Sequence, residues 1–279
     1  MTLRLAYNTN GLGSHRLEDA LALLAEAGYD GVALTLDPVH LDPLRAGPGD
    51  VARVRRLLRD HGLACAVETG GRFVLDPRRK HFPPLDHPDP LLRMQRADLY
   101  RRCLDIAADL GAEAVTLATG PRAPGQAPAA AQAFLEDALA ALCARADELG
   151  LALALEPEPG HGIATLAQWG ALAAALPSLR LALDVGHVGV DDPAEGPAAA
   201  AVAAHAHALA VVHLDDAPRG RHEHLPFGQG DLDLPAVVAA LRAARFGGLC
   251  AVELSRDGHR AHELVPASLA ALVAAGARG

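Results

Sequence analysis

The chain has 279 residues, of which 51% are hydrophobic, and a formal net charge of −9. That length suits one large domain or two small ones, and a single eight-stranded α/β barrel needs about 250 residues. The negative charge, with aromatics at only 3%, argues against a nucleic-acid partner, because phosphates call for a basic surface and unpaired bases for stacking platforms.

The four cysteines, Cys65, Cys103, Cys143 and Cys250, form no close pair. Neither a zinc ribbon nor a disulfide framework is expected, and buried free thiols in a reducing cytosol are the simpler reading. Met1-Thr2-Leu3-Arg4 enters a strand at once, so no secretory leader is expected. The Ala-rich stretch 197–212 is interrupted by Pro197, His205 and His207, and no unbroken apolar run reaches membrane-spanning length. A cytoplasmic location without membrane contact follows as the expectation.

Taken in order, strand one is Leu3 to Tyr7, followed by the polar loop Asn8-Thr9-Asn10-Gly11 and a helix from about His15 to Ala27. Apolar residues at 17, 20, 21, 24 and 27 mark one helical face. Strand two is Gly31 to Leu36, and Asp50 opens a helix from Val51 to Asp60. Strand three is Leu63 to Val67, followed by Glu68-Thr69-Gly70-Gly71. The long loop Arg72 to Asp89, rich in Pro and charge, has a length that points to function. A helix from Pro90 to Leu110 leads to strand four, Glu113 to Ala118, and a helix from Ala129 to Leu149 leads to strand five, Leu151 to Leu155. Ile163 to Leu176 is helical, and strand six is Leu179 to Asp184. A helix from about Pro193 to His207 precedes strand seven, Leu209 to His213. Asp233-Leu234-Pro235 starts the next helix. Strand eight is Leu249 to Glu253, and a helix from about Arg260 to Ala275 closes the chain.

Eight strands alternating with eight helices, without a linker between them, predict a parallel sheet closed into a single (β/α)8 TIM barrel over residues 1–279. No Gly-x-Gly-x-x-Gly follows strand one, which speaks against a dinucleotide fold. Four consecutive apolar runs end in a hard-metal ligand: Glu156, Asp184, His213 and Glu253. In such a barrel the strand C-termini form the active site, so these four side chains should line one side of its mouth. Three crowded carboxylates repel one another, and a divalent cation removes that cost. Three oxygens and one imidazole nitrogen suit Mn2+ first, with Mg2+, Co2+ and Zn2+ as further fits.

The pattern Glu156, Asp184-x-x-His187, His213, Glu253 resembles that of the xylose isomerase-like TIM barrels, which include ketose 3-epimerases, hydroxypyruvate isomerase, inosose dehydratase and isomerase, and apurinic-site endonucleases. The resemblance covers the whole chain. It implies that Glu156, Asp184, His213 and Glu253 hold one metal ion, that Glu156 and Glu253 also act as acid and base, and that His187 and Arg219 contact substrate oxygens. Gly228-Gln229-Gly230-Asp231-Leu232-Asp233 is similar to the segment that closes the strand-seven loop in many members. It further implies a small sugar or cyclitol substrate and a homodimer or homotetramer. The metal would stabilise an enediolate formed by proton loss beside a carbonyl. Proton return to the opposite face gives epimerisation, return to the adjacent carbon gives isomerisation, and loss of a neighbouring hydroxyl gives dehydration.

Lys80, the only lysine, lies in the basic cluster Asp76 to His81. It is expected either to reach a ligand at the mouth or to belong to a solvated charge run. In Arg221-His222-Glu223-His224 the two histidines make a poor metal site without further ligands, so His222 is assigned to a substrate lid or plain surface. Glu158 stands two after Glu156 and is a candidate to face the cavity. It would replace the further acidic residue of ketose 3-epimerases, whose place here is Gly162. The leading expectation is an isomerase or epimerase, with a dehydratase of an inosose or a dehydroshikimate-like acid behind it. A non-catalytic ligand-binding barrel and an apurinic-site endonuclease come last, the nuclease for want of histidines after strands three and four.

Overall fold

The computed structural model describes residues 2–278. Eight parallel strands close into a barrel in sequence order: β1 Arg4–Asn8, β2 Gly31–Thr35, β3 Ala64–Glu68, β4 Ala114–Leu117, β5 Ala152–Leu155, β6 Arg180–Asp184, β7 Leu209–Leu214 and β8 Leu249–Val252. The helices are α1 Leu17–Ala27, α2 Pro48–Asp60, α3 Pro90–Leu110, α4 Pro128–Leu149, α5 Leu166–Ala175, α6 Ala198–His205, α7 Leu234–Ala243 and α8 Ala261–Ala274. The expected single (β/α)8 barrel is therefore the fold. Closure comes from β1 pairing with β8, Arg4 opposite Leu249 and Tyr7 opposite Val252. All four cysteines are free and buried, and among the described residues no helix is long and apolar enough to cross a membrane.

Side chains alternate between the two faces of a strand, and the composition of each face explains the closed shape. The outward leucines and valines, such as Leu153, Leu155, Leu181 and Leu183, join the helices in the main core. The inward positions below the mouth are nearly all alanine. Ala6, Ala33, Ala66, Ala114 and Ala251 pack with Val211 and Leu249 as a separate plug. A run such as Leu-Ala-Leu-Ala-Leu is thus two faces read alternately, bulky toward the helices and small toward a narrow axis.

Three helices differ from expectation: α2 begins at Pro48 with Gly47 as its N-cap, so Asp50 sits inside the first turn, where it accepts from Gly47 N, and does not open the helix. The segment 193–207 is not one helix: a 3-10 turn at Pro193–Glu195 precedes α6. Pro197 sits at the N-cap of α6, and Gly196 takes a positive φ of 74°, so the chain turns between the two. The start of α5 is Leu166 rather than Ile163, because Thr165 and Gln168 form a capping box there.

Candidate active site

The alternation that fills the floor with alanine continues upward into a polar layer. Two residues beyond each inward alanine or its equivalent, the strands supply Asn8, Thr35, Glu68, Thr116, Glu156, Asp184, His213 and Glu253. All but Glu253, which keeps a little exposure to the mouth, are buried. One side chain from every strand therefore reaches the same level of the barrel.

The ligand atoms of Glu156, Asp184, His213 and Glu253 all lie within 4.8 Å of one another. His213 is the hub. Its Nε2 is 2.8 Å from Glu68 Oε1, and its Nδ1 is 3.1 Å from both Glu156 Oε1 and Glu253 Oε2. A carboxylate can only accept, so Glu68 takes the Nε2 proton and the Nδ1 lone pair faces the other two acids. Either a second proton or a cation must occupy that position. Burial pushes the Glu156 carboxyl well above its ordinary value, the His213 charge opposing and the neighbouring Glu253 and Glu158 adding to it. Burial also raises Asp184, helped by Asp215. Burial would lower the His213 pKa, yet Glu68, Glu156 and Glu253 together hold it well above the usual imidazole value. Asp184 Oδ1 accepts the backbone N–H of Gly186 at 2.7 Å, while Asp184 Oδ2 is buried without a hydrogen-bond partner. Crowded acids, an imidazole lone pair aimed among them and an orphaned carboxylate oxygen are the donor set a divalent cation fits.

Glu253 is held from the far side. Asn10 Nδ2 donates to its Oε1 at 2.7 Å and Asn8 Nδ2 to its Oε2 at 3.4 Å. Asn8 Oδ1 in turn accepts from Thr35 Oγ1 at 2.8 Å. The polar loop after β1 therefore belongs to the site. Sequence reasoning missed this, and it missed Glu68, although β3 ends an apolar run in a carboxylate just as β5 and β8 do.

Above the acids opens a cavity of about 350 Å3, lined among others by Glu158, Lys80, His222, Glu253, Arg72 and Arg256. The loop Arg72 to Asp89 reaches it through Arg72, Phe73, Lys80 and His81. His81 N donates to Arg72 O at 2.7 Å, and Arg96 from α3 donates to Pro83 O at 2.7 Å. These bonds fold the loop over the mouth. Lys80 lines the cavity, while Asp76 and Arg79 of the same cluster pair with each other at 2.7 Å. Glu158 lies 3.9 Å from His187 Nδ1 and 3.7 Å from His222 Nε2. Arg219 is not brought to the mouth. It lines a different groove with Val185, Pro197 and Asp233, and its backbone N–H donates to Asp231 Oδ2 at 3.0 Å. The reason is the loop around it. Asp216 accepts from Gly228, Leu232 and Ala217, which folds His222 and His224 inward and leaves Arg219 outside. Gly230 permits this, since a Cβ there would sit 2.4 Å from Asp216 Oδ1 and 2.5 Å from the carbonyl carbon of Ala217.

The family model described as "xylose isomerase-like TIM barrel" matches residues 21–275. No curated protein matches the chain in sequence. Among solved structures, D-allulose 3-epimerase from Methylomonas sp. superposes with a TM-score of 0.79 at 19% identity, over 98% of each chain. The IOLI protein, crystallised with a zinc atom, gives 0.78 at 18%, again over 98% of each chain. The 3-keto-D-glucoside 4-epimerase from E. coli gives 0.77 at 18%, over 98% of this chain and 99% of that one. At such identities the likeness is one of fold.

Proposed function

Because the chain belongs to the xylose isomerase-like TIM barrel family, we propose that it is a divalent-metal-dependent isomerase or epimerase of a sugar or cyclitol, acting by proton removal beside a carbonyl. The observation that carries this reading is the convergence of Glu156, Asp184, His213 and Glu253 within 4.8 Å at the foot of a ligand-sized cavity. Those four residues would hold the cation, and Mn2+ suits the oxygen-rich set, with Mg2+, Co2+ or Zn2+ able to replace it. When bound, the ion would withdraw charge from the carbonyl oxygen and so acidify the neighbouring C–H.

The proton work falls to the two glutamates. Glu156 follows β5 and Glu253 follows β8, one on each side of His213. One carboxylate takes the proton from the carbon, and the other returns a proton to the opposite face, which inverts the centre. Asn8 and Asn10 keep Glu253 aimed into the cavity, so little reorientation is needed when the proton moves. Glu158 and His222 form one wall and Lys80 with Arg256 another, and both can hydrogen-bond ligand hydroxyls, while His187 lies buried behind Glu158, 3.9 Å from its carboxylate. The relatives in structure include epimerases of D-allulose and of a 3-keto-glucoside, whose reactions invert a centre beside a carbonyl. A second reading, dehydration of an inosose or a dehydroshikimate-like acid, draws on the three cations Arg72, Lys80 and Arg256 at the rim, which suit an acidic substrate.

Deuterium exchange from solvent into a panel of ketoses and inososes, with Mn2+ present, tests the shared first step. Exchange into at least one carbon beside a carbonyl is expected, and none into any of the panel would remove the reading. Glu253→Gln should slow exchange about 100- to 10,000-fold, and an undiminished rate would take Glu253 out of the mechanism.

A further inference from the structure

The cavity above the acids has a basic end, and one of its cations is buried. Arg96 from α3 is only 3% exposed, yet it lines the cavity. Its Nε donates to Pro83 O at 2.7 Å, and its guanidinium carbon stands 5.4 Å from the centroid of the Tyr100 ring. Neither contact is with an acid, and the two terminal nitrogens have no acceptor among the described residues. An arginine stays charged at any working pH, and a buried charge is costly without a counter-ion.

Three more cations gather at the same end. Arg72 and Lys80 come from the loop after β3 and Arg256 from the turn after β8, and all three line the cavity. None of them forms an ion pair among the described residues, and Arg256 donates only to a backbone oxygen, His222 O at 3.4 Å. They act on one neighbourhood. Burial lowers the Lys80 pKa, with Glu158 opposing and Arg72 and Arg256 adding. Burial also lowers that of His81, with Lys80, Arg96 and Arg72 all adding. Close by, arginines with an acid in reach do pair: Arg79 bonds Asp76 at 2.7 Å, and Arg221 lies 2.8 Å from Glu223. The acids at the foot of the cavity are engaged with His213 instead. Four cations without an ion pair, around one cavity of a chain with net charge −9, call for a negative charge from outside.

We propose that the substrate carries an anionic group, a carboxylate or a phosphate, and that Arg96 binds this group with Lys80, Arg72 and Arg256 closing over it. This rests on the reading above for the other end of the ligand, whose carbonyl lies over Glu156 and Glu253, and it adds the chemistry of the far end. A guanidinium offers parallel N–H donors that match a carboxylate or a phosphate, and Lys80 adds a point charge. Arg96 stands on a helix and is braced by Pro83 O, so it fixes where the anion sits at little cost in ordering. The three exposed cations stand on loops and draw an anion in by longer-range attraction. A neutral ketose of the same stereochemistry leaves Arg96 buried without a counter-ion, and the site therefore discriminates against it.

Protein loaded with Mn2+ is tested in two arms. In the first, isothermal titration calorimetry at low ionic strength follows the binding of inorganic phosphate and of acetate. One saturable equivalent of at least one of them is expected. Arg96→Gln and Lys80→Met should each weaken it about tenfold or more, with unchanged circular dichroism spectra. Lys80 is exposed, so its variant guards against a loop disturbed by the loss of the Arg96 contact to Pro83. No saturable binding, or binding that survives either substitution at full strength, overturns the proposal, the latter because the anion then sits on the metal ion. In the second arm, D-fructose, D-allulose, D-sorbose and D-tagatose are each compared with their own 6-phosphate and 6-carboxylate for deuterium exchange from solvent. Exchange about tenfold faster or more in one charged series is expected, and the series that gains names the anion. Equal exchange in neutral and charged series overturns the proposal. Exchange in no series removes the isomerase or epimerase reading, and the calorimetry alone then decides whether the anion site exists.

Discussion

Glu68 shows what one side chain decides in this barrel. It never meets the ligand atoms of Glu156 or Glu253 through a hydrogen bond, yet it contacts the far nitrogen of His213 at 2.8 Å and is itself bonded by Thr116 Oγ1. Its carboxylate sets which imidazole nitrogen carries the proton and keeps the ring basic toward the site. Glu68→Gln preserves shape and removes the charge. It should lower cation affinity about 10- to 100-fold with little change in melting midpoint. Competition titration against a chromophoric chelator reads this directly, and equal affinity in the two proteins would make Glu68 a bystander.

At the scale of the elements, the strands are held to a narrow barrel by the small residues on their inner faces. Gly31, the first residue of β2, shows how little room is left. A Cβ there would lie 2.8 Å from Ala64 O and 2.9 Å from Leu249 Cδ2, a backbone atom on one side and the plug on the other. Gly31→Ala should therefore cost about 1–3 kcal/mol of stability, seen as a lower urea midpoint at unchanged slope. A neutral result would mean that β2 can shift without disturbing β3. The loops matter equally for position. The Asp216 carboxylate, with three backbone N–H donors, determines which of His222, His224 and Arg219 faces the mouth.

For the whole molecule, the acid limb of the stability curve reports on two half-buried histidines, His81 and His161. Burial drives the His81 pKa down to about 3 and the His161 pKa to about 2, with nearby cationic groups adding to both; their rings pack edge to face at 5.4 Å. In the unfolded chain each would titrate near 6.5. Between about 6.5 and 3 the unfolded chain thus binds more protons, and the stability these neutral rings allow is lost as pH falls through that window. His161→Phe keeps the ring and removes the titration. Its stability should fall less steeply from pH 6.5 to pH 4 than that of the parent, and urea unfolding at three pH values checks it. Parallel curves for the two proteins would show that His161 takes up its proton as readily in the fold as in the unfolded chain.

The sequence alone was enough for the eight alternating units, the positions of the strand ends and the four residues Glu156, Asp184, His213 and Glu253, because strand period, helix stops and apolar runs are local properties of the chain. Glu68 was as visible as Glu156 in that sense, but its importance depends on a contact across the barrel axis, and no local pattern measures that distance. His222 and His224 read as residues of a lid or plain surface, and only the folded β7–α7 loop set their rings against His187. Arg219 had the right spacing from His213, and the same loop turned it outward. Tertiary structure decided these cases because a loop's direction is set by which distant backbone groups satisfy its polar atoms, here the donors gathered by Asp216.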